Sequence, residues 1–131
     1  MATVDDIDSL QTVTEEENQR ITNAFVATSN ALGDAILALK RVAAVTFDHA
    51  SLDEVVRERR RLEDEAAANE RAFLAYVEGD IGLRPPEPED VDAIVQLAGQ
   101  LALLTQKKAT AAAVISLANK VNARFKAVLE Q

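Results

Sequence analysis

Read at alternating steps of three and four, the C-terminal third of the chain gives Ile94, Leu97, Leu101, Leu104, Lys108, Ala111, Ile115, Ala118, Asn122, Phe125 and Leu129. Only Lys108 and Asn122 interrupt that apolar seam, and neither Pro nor Gly follows Gly99. Heptad spacing held for so long predicts one continuous helix whose seam other helices must cover. Small residues beside it, among them Ala98, Ala102 and Ala112, leave room for a close neighbour. Pro88 suits the first helical position, and Glu89, Asp90 and Asp92 suit the opening turn, so the helix is expected over about 88–130.

A second long stripe starts at Thr14, where Thr14 and Glu17 have the spacing of a capping box and Glu15 and Glu16 complement the helix dipole. Its seam reads Ile21, Phe25, Thr28, Leu32, Ala35, Leu39, Val42 and Thr46, predicting a helix over about 14–46. Val26, Ile36, Leu37 and Val45 widen the stripe, so this helix is expected to meet two neighbours. Gly33 in mid-helix costs about 1 kcal/mol in propensity, which points to a close helix crossing.

Phe47 to Ala50 reads as a turn, after which Ser51 and Glu54 make a second capping box. The helix expected over about 51–79 has the weakest stripe: Leu52, Val55, Arg59, Leu62, Ala66, Asn69, Phe73 and Tyr76. Its middle, from Arg57 to Arg71, carries five bases and five acids, the pattern of a solvated face. Gly79 to Pro88, with two Gly and three Pro, is the clear break in the chain. Residues 1–13 suit either a loose arm or a helix extension.

These elements predict an all-α, elongated, up-down-up three-helix bundle forming a single domain over 1–131, with coiled-coil-like packing and a long last helix. At 1.5 Å per residue the three helices would be about 50, 43 and 63 Å long, so the last one overhangs. The overhang carries Leu117, Val121, Phe125, Val128 and Leu129, an apolar tip that needs cover and is the expected interface with a second copy or a partner. Thr28, Arg59, Asn69, Lys108 and Asn122 form a polar subset of the seam suited to setting register and oligomer state. The bland reading, that Arg59 and Lys108 run their heads out to water, is the better one for those two.

Composition agrees with an all-α chain: 48% hydrophobic but 4% aromatic, with no Trp, four Gly and three Pro. With no Cys there is neither a disulfide framework nor a thiolate metal site. The start of the chain is acidic where a signal peptide is basic, and the uncharged run Ala93–Gln106 falls short of the roughly 20 residues a bilayer needs. The default expectation is therefore a soluble, cytoplasmic protein. A net charge of −8 disfavours nucleic acid and anionic lipid alike. Charge is also polarised. Residues 1–20 and 78–92 each hold six acids and one Arg, whereas 107–131 hold five bases and one acid. One explanation is a basic tail meeting the acidic pole of another chain, and the other is ordinary dipole complementation.

Candidate chemistry is thin. His49 lies beside Asp48, Ser51 and Asp53, but neighbours in one turn cannot converge as nucleophile, base and orienting acid. Glu63, Asp64, Glu65 and Glu70 lack the Glu-x-x-His pairs of ferritin-like metal sites. The Pro85-to-Pro88 spacing is a stiff connector rather than an SH3 ligand. No catalytic, cofactor-binding or metal-ligating residue is expected, and the chain is read as not an enzyme. The expected function is a structural or protein-interaction module that associates with itself or with a larger assembly. The alternative is an amphipathic protein that coats a surface or acts on a membrane. Richness in Ala, Val, Arg and Asp suggests a GC-rich bacterial or phage genome.

Overall fold

The computed structural model describes residues 14–79, 81–83, 85–105 and 110–129, without the side chains of residues 128 and 129. Residues 1–13 and Lys108 lie outside the described residues. The described chain is all-α, with four helices and no strand: α1 Glu15–Ala44, α2 His49–Val77, α3 Pro88–Thr105 and α4 Ala111–Leu129.

The start of α1 is the expected capping box. The Glu17 amide donates to Thr14 Oγ1 at 3.1 Å, and the Thr14 amide donates to Glu17 Oε1 at 3.2 Å. By contrast, α2 begins at His49 and not at Ser51. Its N-cap is Asp48, whose Oδ2 accepts from the Ser51 amide at 3.0 Å and from Ser51 Oγ at 2.8 Å. A carboxylate suits the positive end of a helix, so the acid takes the capping role and the serine becomes its donor. After Val77 the chain turns at Gly79, whose φ of 82° is left-handed.

The single helix expected over 88–130 is the main correction. It is two helices, and the bundle therefore has four members rather than three. Thr105 Oγ1 donates back to the Ala102 carbonyl at 2.6 Å at the end of α3, and Thr110 Oγ1 accepts from the Ala113 amide at 3.2 Å at the start of α4. Thr110 thus caps the start of α4, and a new helix begins there without a Gly or Pro before it.

The directions of the helices follow from a few contacts. At one end of α1, Arg20 Nε donates to the Pro86 carbonyl at 2.9 Å; at the other, Arg41 donates to the Thr105 carbonyl. Hence α1 and α3 run parallel. α2 returns antiparallel to α1, joining it through Asn69 Nδ2 to Ser29 Oγ at 2.8 Å and Tyr76 to Asn18. α4 runs back along α1 and α3 until Phe125 meets Phe25, with ring centroids 5.0 Å apart.

α1 is the hub, since its contacts with the other helices are the most extensive. Its buried stripe is broad: Ile21, Ala24, Phe25, Thr28, Ala31, Leu32, Ala35, Ala38 and Leu39. In α2 the fully buried residues are Val55, Leu62 and Asn69, seven apart, a single narrow line. Phe25 also packs on Phe73 at 4.9 Å and Tyr76 at 6.5 Å, so one ring joins α1, α2 and α4. Burial raises the pKa of the Tyr76 hydroxyl.

Candidate docking face

The supposed apolar overhang is absorbed. Val121 and Phe125 are buried in the core of the single chain, and Leu117 is half-buried against it. An apolar tip does need cover, as expected, but the reversal before α4 supplies that cover from the same chain. The side chains of Val128 and Leu129 are outside the described residues. The same reversal carries Arg124 and Lys126 back toward the end where α1 and α3 begin with Glu15–Glu17 and with Glu89 and Asp90.

The polar seam divides. Thr28 and Asn69 are both buried in the bundle, and Thr28 Oγ1 and Asn69 Oδ1 find no hydrogen-bond partner. Asn69 reaches Ser29, the residue next to Thr28. Arg59 is half-buried with its Nε 3.4 Å from Glu63 Oε1, close enough for an ion pair but not aligned as a hydrogen bond. Asn122 is half-buried. A separate knot ties α2 to α4: Arg61 bonds Glu58 and Glu65 and donates to Asn119 Oδ1 at 2.8 Å. Burial works against the Arg61 charge, but the two carboxylates outweigh it and raise its pKa.

Three helices, α2, α1 and α3, lie side by side in that order, and α4 packs across one side of the layer. The helical repeat then assigns what faces the other side. On α1 that face carries Val26, Asn30, Gly33 and Leu37; on α2, Glu63, Ala67, Glu70, Leu74 and Val77; on α3, Val95 and Gly99. Val26, Leu37, Leu74, Val77 and Val95 are 43–63% exposed, and all five fall on that face. Isolated exposed apolar residues are ordinary; five that share a face are not. Sequence reasoning assigned Val26, Leu37 and Val45 to helix contacts, yet all three are exposed because the neighbours of α1 lie on its other flanks.

Gly33 belongs to the same correction. A side chain built there meets nothing within 4 Å, and the same holds for Gly99. The close crossing expected at Gly33 is thus absent within the chain. The offsets of 66 and 64 residues that bring Arg20 to Pro86 and Arg41 to Thr105 place Gly33 and Gly99 within about a turn of each other on parallel helices. Two helix-weakening glycines therefore lie near each other on the face that no described helix covers.

A trough of about 630 Å³ runs between α1 and α2 on this side. Val26, Ala66, Ala67 and Phe73 line its apolar part, and Glu63 and Glu70 line its charged part. A second trough of about 560 Å³, between α3 and α4, has Lys120 and Arg124 on its lip. Both are open. Among the described residues no three His, Cys, Asp or Glu side chains converge to hold a metal, and no helix is long and apolar enough to cross a membrane. His49 is exposed, and the Ser51 hydroxyl is committed to Asp48.

Comparison with protein-family models, with curated protein sequences and with solved structures finds no match to this chain. The signal for the docking face was present in the sequence as Val26 and Leu37, two apolar residues three turns apart and off the main seam.

Proposed function

We propose that the chain is a non-enzymatic structural or protein-interaction module that works by presenting the uncovered face of its α2–α1–α3 layer to a helix of another polypeptide. One observation carries the reading: exposed apolar residues of three helices share the side that α4 leaves open. Apolar surface rimmed by polar residues is what protein-binding faces have. The open, shallow form of both troughs also favours binding a surface over enclosing a small molecule for chemistry.

A photo-crosslinker placed at Leu37 should give a discrete protein adduct in the native cells, either with another copy or with another chain. A Val26→Asp variant should lose that adduct, and a crosslinker at the solvent-facing Arg57 should not form it. Diffuse adducts, or equal ones from both positions, reject the reading. If the chain coats a neutral hydrophobic surface instead, oil droplets or uncharged vesicles will change its helicity and protect Leu37 from labelling.

A further inference from the structure

We infer that the occupant of the uncovered face is a second copy of this chain, docked through the outer surface of its α4, so that copies join head to tail. The inference rests on the docking reading above and names the partner. Three observations select it.

The first is charge. Glu63 and Glu70 stand seven residues apart along the α2 edge of the face, a spacing of about 10 Å on a helix. The exposed side of α4 offers Lys120 and Arg124 along its α3 edge, where they border the second trough, and Lys126 on its other flank, over a similar length. The second is size. Between those bases the outward positions of α4 are Ala112, Ser116, Ala123 and Ala127, which hold no bulk that would keep two helices apart. Gly33 and Gly99 supply the matching clearance on the receiving side.

The third consideration weighs against the symmetric alternative. Laying two uncovered faces against each other antiparallel about a point midway between Glu63 and Glu70 brings Glu63 of one copy over Glu70 of the other, like charge on like. Laying them parallel sets α2 over α3, and α3 contains no Lys or Arg to answer the two acids. The uncovered face and the outer surface of α4 lie on opposite sides of the molecule. A contact between them is therefore heterologous and leaves each copy with one free face of each kind, which extends into a stack or closes into a ring.

The experiment uses the whole chain and its charge-exchanged variants in sedimentation velocity across a range of concentrations. The wild type should show mass rising with concentration, and raised salt should weaken the association, because the pairs lie at the surface. Glu63→Lys with Glu70→Lys makes both faces basic; Lys120→Glu with Arg124→Glu makes both acidic. Each double variant alone should remain monomeric and as helical as the wild type by circular dichroism, since all four residues are exposed and the Arg59–Glu63 ion pair that Glu63→Lys removes is a partly solvated pair of small worth. Mixing the two should restore assembly, because each now offers the face the other needs. Gly33→Leu, which meets no atom of its own chain, should fold normally and fail to assemble.

A wild type that stays monomeric at every concentration overturns the inference, as does a mixture no heavier than its components. A closed dimer unaffected by either charge exchange overturns it as well. If the wild type is monomeric while the Leu37 crosslink still captures a different protein that Val26→Asp loses, the docking reading stands and only the identity of the occupant is wrong.

Discussion

The two flanks of α1 carry similar apolar patterns and meet opposite fates. On one, Leu32, Ala35 and Leu39 are completely buried beneath α2, α3 and α4. On the other, Val26 and Leu37 repeat at helical spacing and remain half-exposed. The difference lies in what the rest of the chain can reach, since periodicity states that a face is apolar but not which neighbour covers it. Among the described residues one helix, α4, crosses the layer, and it goes to the flank with the aromatic cluster.

The contrast can be broken hardest at Phe125. Phe125→Glu buries an unpaired charge among Phe25 and its partners and should cost several kcal/mol. Thermal or urea unfolding should show a collapsed or absent transition. A variant that remains folded and merely changes its mass would instead place Phe125 at an interface between chains. Next comes Phe25→Ala, expected to lose about 3–5 kcal/mol because it empties the junction of three helices. Leu37→Ala, on the opposite flank of the same helix, should change monomer stability by only about 0.5 kcal/mol. Comparable losses from the two would erase the distinction drawn here.

Gly33→Ala sharpens it with the opposite sign. With no neighbour to strike, the added methyl should stabilise the monomer by about 1 kcal/mol, read as a raised urea midpoint at constant slope. The smallest effect belongs to the α1–α2 turn. Two hydrogen bonds, from the Ser51 amide and the Ser51 hydroxyl, hold the Asp48 carboxyl below its ordinary pKa. Its folded value is therefore lower than its unfolded one. The cap contributes stability above the ordinary carboxylate range and loses it as pH falls through that range toward the folded value. The difference in melting temperature between the wild type and Asp48→Ala should accordingly shrink on acidification. A difference that grows would show that the charge is not what caps α2.

Much of this was legible from residue order, and the failures are as local as the successes. Thr14 and Glu17 announced the start of α1, and Pro88 with its acids announced α3, because capping and dipole chemistry act within one turn. Choosing Ser51 over Asp48 was a contest between two capping residues three apart, decided by the carboxylate accepting both Ser51 donors. The division of the last stripe into α3 and α4 is hidden in the sequence because the three-four seam continues in register from one helix to the other, so each still shows an apolar stripe. The uncovered face is the least legible part. Val26 and Leu37 have the pattern of a broader core, and only the positions of the neighbouring helices leave them exposed.

The meeting of Phe25 and Phe125 sets an order of events on the ribosome. The helix that holds the hub of the core, α1, is synthesised before α4, the helix that seals it. Until α4 emerges, the nascent polypeptide carries an unsealed aromatic centre, available to chaperones and to neighbouring nascent chains. Translation that stalls before α4 would release a product unable to close on itself, and proteolytic quality control should recognise it by that opening.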